Sequence, residues 1–158
     1  MDTPEQAALA EQLAGDGFRF HHIGIIVRDL VAAAAAYHLL GFGPGHEEVV
    51  AAQGVRVLLL PTRDQGQYLE LFTPLGEGRL TEFLAKRGEG MHHIAFAVDD
   101  IAVALGQLRA NGVRLVDATP RAGAHGWSVA FVHPASAHGV LIELVQTQSA
   151  VGSRGGRT

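Results

Sequence analysis

The segment Gly90-Met91-His92-His93-Ile94-Ala95-Phe96-Ala97-Val98-Asp99-Asp100-Ile101 places a pair of histidines at the mouth of a β-strand pattern that runs into two aspartates able to cap a helix. The same order occurs once before, in His21-His22-Ile23-Gly24-Ile25-Ile26-Val27-Arg28-Asp29-Leu30. His22 then aligns with His93, Val27 with Val98 and Asp29 with Asp100, an offset of 71 residues. An offset so near half the chain indicates a duplicated module.

Alternation along each strand says which way the histidines point. His93, Ala95 and Ala97 share one face, and Ile94, Phe96 and Val98 the other. In the first copy His22 and Gly24 stand opposite Ile23, Ile25 and Val27. The bulky face is expected to pack on the following helix. The histidine face is lined by small residues that leave room for a metal and its ligand. By the same alternation His21 and His92 should point away from their neighbours and serve the structure.

Working outward, β-patterns are expected over about Arg19 to Val27, Gly43 to Val50, Val55 to Pro61 and Gln67 to Thr73, with a helix capped by Asp29 and stopping at Gly41. Thr81 to Lys86 reads as a short helical linker. The second half repeats the order: Met91 to Val98, a helix capped by Asp99 or Asp100 and ending near Asn111-Gly112, then strands near Val113 to Val116, Trp127 to Val132 and Gly139 to Gln146. The fold class is therefore α+β: two paired βαβββ modules, about 19–76 and 90–147, forming a curved, cup-like mixed sheet with helices outside. Residues 1–17 read as an N-terminal helical extension, 18–148 as the domain, and 149–158 as a disordered tail.

The last strand of each half carries a carboxylate where a core position should be apolar: Glu70 in Tyr68-Leu69-Glu70-Leu71-Phe72, and Glu143 in Val140-Leu141-Ile142-Glu143-Leu144-Val145. A lone strand glutamate usually faces solvent, and a lone histidine is usually a hydrogen-bonded one. Both occur twice here, at the close offsets of 71 and 73 residues. An isolated buried carboxylate costs several kcal/mol or more and in practice finds a cation. His22, Glu70, His93 and Glu143 thus make a ligand set for one divalent ion per chain, with Co, Mn, Ni, Zn and Fe all compatible.

Composition narrows the chemistry. The 158-residue chain has no cysteine, which excludes thiolate nucleophiles and sulfur-ligated metals. Net charge is −4, with 11 Arg, one Lys (Lys86) and no basic run, so there is no nucleic-acid footprint. No signal-peptide pattern or membrane-length apolar run is present, and the expected location is cytoplasmic.

These residues resemble the vicinal oxygen chelate superfamily (glyoxalase, bleomycin resistance, dioxygenase) and, within it, the methylmalonyl-CoA epimerase family. The resemblance spans about Phe20 to Gln146. It rests on His22-Ile23-Gly24, Gln53-Gly54-Val55, Glu70-Leu71 with Pro74-Leu75, Phe83-Leu84-Ala85-Lys86-Arg87-Gly88-Glu89-Gly90 running into His92-His93-Ile94-Ala95, Gly112-Val113, Pro120-Arg121 with Gly123-Ala124-His125-Gly126, His133-Pro134 and Gly139-Val140-Leu141-Ile142-Glu143-Leu144. It implies an isomerase that moves the α-proton of a 2-methylmalonyl-type CoA thioester through a metal-stabilised enolate, in a homodimer. It also implies metal binding by His22, Glu70, His93 and Glu143, with Glu143 also the catalytic base.

His125, Arg121 and Lys86 are the candidate substrate contacts. Two positions depart from the family pattern. Val57 stands where some members carry a second acid/base glutamate, making Glu47 and Glu48 on the preceding strand candidates for that role; Ala135 follows His133-Pro134 where a lysine is usual. The alternatives are a lactoylglutathione lyase-like isomerase, whose Asn-Trp-Gly segment is replaced here by Phe72-Thr73-Pro74-Leu75, and a metal-free small-molecule binding protein of the bleomycin-resistance type. An extradiol dioxygenase fits less well, since Glu70 would obstruct a two-His, one-carboxylate iron site.

Overall fold

The computed structural model describes residues 3, 4, 7, 8 and 17–148; the expected tail, and most of the expected N-terminal helix, lie outside the described residues. Between Arg19 and Gln146 the elements are β1 (Arg19–Ile26), α1 (Leu30–Leu39), β2 (His46–Val50), β3 (Val55–Pro61), β4 (Tyr68–Pro74), α2 (Arg79–Arg87), β5 (Gly90–Ala97), α3 (Ile101–Ala110), β6 (Arg121–Ala122), β7 (Ser128–Val132) and β8 (Ile142–Gln146). They form one eight-stranded mixed sheet in the order β2-β3-β4-β1-β5-β8-β7-β6. Each half pairs its first strand in parallel with its last, β1 with β4 and β5 with β8. The halves join through the antiparallel β1–β5 pair, so a pseudo-twofold passes between the two histidine strands. The sheet curls into a nearly closed cup, as the paired modules require.

The helices begin where the repeat puts its aspartates. Asp29 accepts hydrogen bonds from the Val31 and Ala32 amides at 2.9 and 3.0 Å, and Asp100 from that of Val103 at 3.0 Å. Asp99, the other candidate cap, instead pairs with Arg19 at 2.6 Å. Ala33 and Ala34 let α1 lie close to Leu58, Leu60 and Leu71 on the outside of the sheet. α3 covers Ala130, Val132 and Leu144 in the same way.

Those outward residues alternate with Leu59, Glu70, Phe131 and Glu143, which face into the cup. Phe96 departs from the expected packing: it meets Phe18 and Phe20, at 6.2 and 6.5 Å between ring centroids, rather than a helix. The strand expected near Val113 to Val116 is a correction. Only a single bridge, Leu115 to Val132, forms there, and the ladder is supplied by the two residues of β6. The Val116 and Asp117 amides donate to the Phe131 carbonyl at 2.8 and 3.2 Å and the His133 amide to the Arg114 carbonyl at 2.9 Å, while Asp117 Oδ2 accepts the Phe131 amide at 2.9 Å, so a side chain takes one acceptor's place in an irregular pairing.

Candidate functional site

Both histidine pairs sit at β-bulges. In the β1–β5 ladder Phe20 pairs with Phe96 and His22 with Ala95, leaving His21 as the extra residue; Gly24 pairs with His93 and Ile25 with Met91, leaving His92 extra. Strict alternation had put His21 and His92 on the outer face. The bulges overturn that: His21 Nδ1 lies 2.8 Å from His22 Nδ1, and His92 Nδ1 lies 3.0 Å from His93 Nδ1. His21 is buried against Tyr68 and Trp127, and His92 is half-buried against Phe72 and Phe83.

With their Nδ1 atoms so engaged, the site histidines turn their Nε2 atoms toward each other, 3.0 Å apart. His22 Nε2 is 2.9 Å from Glu70 Oε2 and 3.0 Å from Glu143 Oε2; His93 Nε2 is 3.3 Å from the same Glu143 oxygen. Gly24 makes the arrangement possible, because a Cβ there would overlap Cε1, Nδ1 and Nε2 of the His93 ring. The structure therefore brings all four expected ligands together, each no more than 9% exposed.

The electrostatics are those of converging donors. Glu143 Oε2 is buried and, despite its two imidazole neighbours, has no hydrogen-bond partner of acceptable geometry. Each of the four residues offers one ligand atom, all within 4.8 Å of one another. An orphaned carboxylate oxygen among inward-turned imidazole nitrogens fits a cation. Burial alone would lower His22, but its short contacts to the Glu143 and Glu70 carboxylates outweigh burial and hold it raised to about 9. Burial would raise Glu143, yet the His93 charge and the contact with His22 keep it below the usual carboxylate range. Burial, aided by the adjacent histidine, lowers His21 and His92 to about 4.

A cavity of about 630 Å³ opens onto this cluster, lined by Glu70, His93, Phe72 and Phe131 near the donors and by Asp117 and Arg121 farther out. Arg121 lies 5.2 Å over the Phe131 ring, with Nε 3.4 Å from Asp117 Oδ2. Phe131 in turn meets the His93 ring at 5.5 Å. Of the three expected substrate contacts, Arg121 lines the cavity, while Lys86 is exposed on α2 and His125 faces the edge strand β2 instead.

Val57 is buried among Ile26, Val50, Val55 and Phe72, so no acid stands there. Glu47 pairs outside with Arg56 at 3.2 Å, and Glu48 accepts the His125 amide at 2.8 Å. His92 and Asp117 are site residues that sequence reading missed; His92 was hidden by its bulge and Asp117 by an irregular segment.

The model of the glyoxalase/bleomycin resistance protein/dioxygenase superfamily matches residues 21–131. The chain belongs to that superfamily. Within it, the ethylmalonyl-CoA/methylmalonyl-CoA epimerase of Cereibacter sphaeroides is 39% identical over 132 residues, covering 81% of this chain and 97% of the relative. A methylmalonyl-CoA epimerase solved with methylmalonyl-CoA and an ammonium ion superposes with a TM-score of 0.78 at 41% identity, covering 84% of this chain and 96% of that one. The methylmalonyl-CoA epimerase of Mycobacterium tuberculosis gives a TM-score of 0.77 at 39% identity, over 85% and 92% of the two chains. This superfamily member thus shares the fold and most of the length of those epimerases.

Proposed function

We propose that the chain is a metal-dependent epimerase that moves the α-proton of a 2-methylmalonyl-type CoA thioester. The observation that carries this reading is the buried His22–Glu70–His93–Glu143 cluster at the end of the cavity, in a chain so similar to epimerases acting on that class of substrate. We assign all four residues to one divalent ion per chain. When bound, such an ion supplies Lewis-acid stabilisation of the negative charge that develops on the substrate when the α-proton leaves.

The residues do the rest. Glu143 takes the α-proton: its Oε2 is buried, unpartnered and held as a carboxylate. Phe72 and Phe131 wall the reacting end with apolar surface, which strengthens every charge interaction there. Arg121 presents a cation from the cavity wall and binds an anionic group of the substrate, with Asp117 fixing its orientation. His21 and His92, kept neutral by burial, hold the Nδ1 sides of the His22 and His93 imidazoles, which leaves both Nε2 atoms free to hold an ion when one is bound.

We further assign residues 18–148 to the catalytic domain and infer a cytoplasmic homodimer. Val31, Leu39 and Leu40, apolar and exposed on and just beyond α1, support self-association. No helix among the described residues is long and apolar enough to cross a membrane. Incubation with 2-methylmalonyl-CoA in heavy water tests the reaction. Deuterium should wash in at the α-carbon with the ion present and cease after chelation; no exchange in the metal-loaded protein refutes the proposal. Sedimentation at micromolar concentration tests the dimer, and a mass of one chain refutes it.

A further inference from the structure

A second group of donors lies away from the cavity, where the two ends of the sheet approach each other. β2 is an edge strand, and His46 and Glu48, two residues apart on it, share the face that also carries the buried Val50. The turn Ala124–Gly126, from the other half of the chain, closes over them. Its His125 amide donates to Glu48 Oε2 at 2.8 Å, and His125 Nδ1 stands 3.8 Å from the same oxygen. The His46 and His125 rings are 4.8 Å apart.

One observation sets His125 apart from an ordinary loop histidine. Its Nε2 is buried with no hydrogen-bond partner, an unfavourable state for an imidazole nitrogen.

We propose that His46, Glu48 and His125 form a second divalent transition-metal site, which clasps the edge strand β2 to the turn of the opposite half. One ligand atom from each residue already lies within 4.8 Å of the others. Around a tetrahedral ion with ligands at about 2.0–2.2 Å, those atoms would stand about 3.3–3.6 Å apart, a closure within reach of side-chain rotation. Two imidazoles and one carboxylate select Zn²⁺, Co²⁺ or Ni²⁺ over Mg²⁺ or Ca²⁺. The side chains of Glu48 and His125 are 33% and 27% exposed, leaving a path for the ion and room for water as a fourth ligand. None of the three belongs to the four-residue cluster, so this site stands or falls independently of the proposed reaction.

The test is zinc stoichiometry by calorimetric titration and elemental analysis on the chelator-stripped full chain. The parent should bind two Zn²⁺ per chain. His22→Ala/His93→Ala, which removes two ligands of the buried cluster, should retain one, and that remaining ion should raise its melting temperature. His46→Ala and Glu48→Gln should each lose one ion from the parent. His46 is exposed, so its replacement leaves folding intact, and circular dichroism checks this for every variant. A parent whose bound Zn²⁺ is undiminished in both His46→Ala and Glu48→Gln overturns the proposal. A His22→Ala/His93→Ala protein that takes up no Zn²⁺ while folded overturns it equally.

Discussion

Gly24→Ala is the smallest change that should disable the buried cluster, and its sign is diagnostic. The backbone at Gly24 is not left-handed, so alanine meets no conformational barrier there. On strand propensity alone it should stabilise β1, by about 0.5–1 kcal/mol. The added Cβ, however, would overlap three atoms of the His93 ring, and that ring is only 6% exposed and wedged against Phe72 and Phe131. Overpacking of a filled interior costs about 1–3 kcal/mol.

The balance is a net loss of up to about 2.5 kcal/mol, equivalent to a fall of up to about 10 °C in Tm for a chain of this size. The functional loss is larger. Disturbing the groups that merely orient a metal-bound histidine costs about 10–100-fold in affinity, so displacing the histidine itself should cost at least that. Calorimetric titration with Co²⁺ or Zn²⁺ and thermal melting of the chelated protein read the two effects separately. The double variant Gly24→Ala/His93→Ala completes the test. With the ring gone the alanine has nothing to strike, so adding it to His93→Ala should leave Tm unchanged or raised while metal affinity stays low. A Gly24→Ala protein with parent affinity and an undiminished Tm refutes the placement of His93 over Gly24.

Glu143→Gln should retain metal while α-proton exchange falls about 10²–10⁴-fold, in kcat more than in KM; exchange at the parent rate would assign the base to another residue. Arg121→Gln should raise KM by tenfold or more with a smaller change in kcat, as steady-state kinetics will show, because a charge-assisted contact is worth about 1.5–3 kcal/mol. Because His22 is held protonated up to about pH 9, the ion must displace a proton, and metal affinity should climb about tenfold per pH unit from pH 7 to 9. A pH-independent affinity would contradict this. Stability of the metal-free protein should peak near pH 6.5: His22, raised, loses its contribution as pH climbs toward 9, while His21 and His92, lowered to about 4, gain protons more readily on unfolding as pH falls below 6.5. A pH series of chelated melts checks both slopes.

The repeat carried most of the fold into view. Two matched strands with capping aspartates fixed the β1–β5 centre and the helices, and His93 and Ala95 alternating with Ile94 and Phe96 gave the sheet its two faces. What the repeat concealed was its own imperfection. The first half spends His46–Val50 on a full edge strand, paired with Val55–Leu59 residue for residue. The second half has Gly112-Val113-Arg114-Leu115-Val116-Asp117 at that place, where Leu115 bridges Val132, the Val116 and Asp117 amides both donate to the Phe131 carbonyl, and Asp117 Oδ2 accepts the Phe131 amide in place of a backbone carbonyl. Pattern reading scores apolar alternation, and a segment whose pairing is completed by a carboxylate offers too short an alternation to score.

The four clustered residues were legible for a physical reason, and the histidines beside them were not, for another. A glutamate between leucines violates strand patterning, so Glu70 and Glu143 announce themselves. A histidine beside a histidine violates nothing, and strict alternation sends one of each pair outward. The bulges reverse that, because one extra residue at His21 and another at His92 turn both rings of each pair into the interior. This is also why the repeat contains histidine pairs and not single histidines. A lone imidazole on a regular strand would leave its Nδ1 against apolar neighbours and its ring free to rotate. An adjacent, neutral imidazole delivered by the bulge fixes both, with no residue from elsewhere in the chain. Replacing His21 or His92 by Phe keeps the ring and its packing but removes that nitrogen, and metal affinity should fall about 10–100-fold while the fold stays intact. Unchanged affinity in both variants would reduce the bulged histidines to packing.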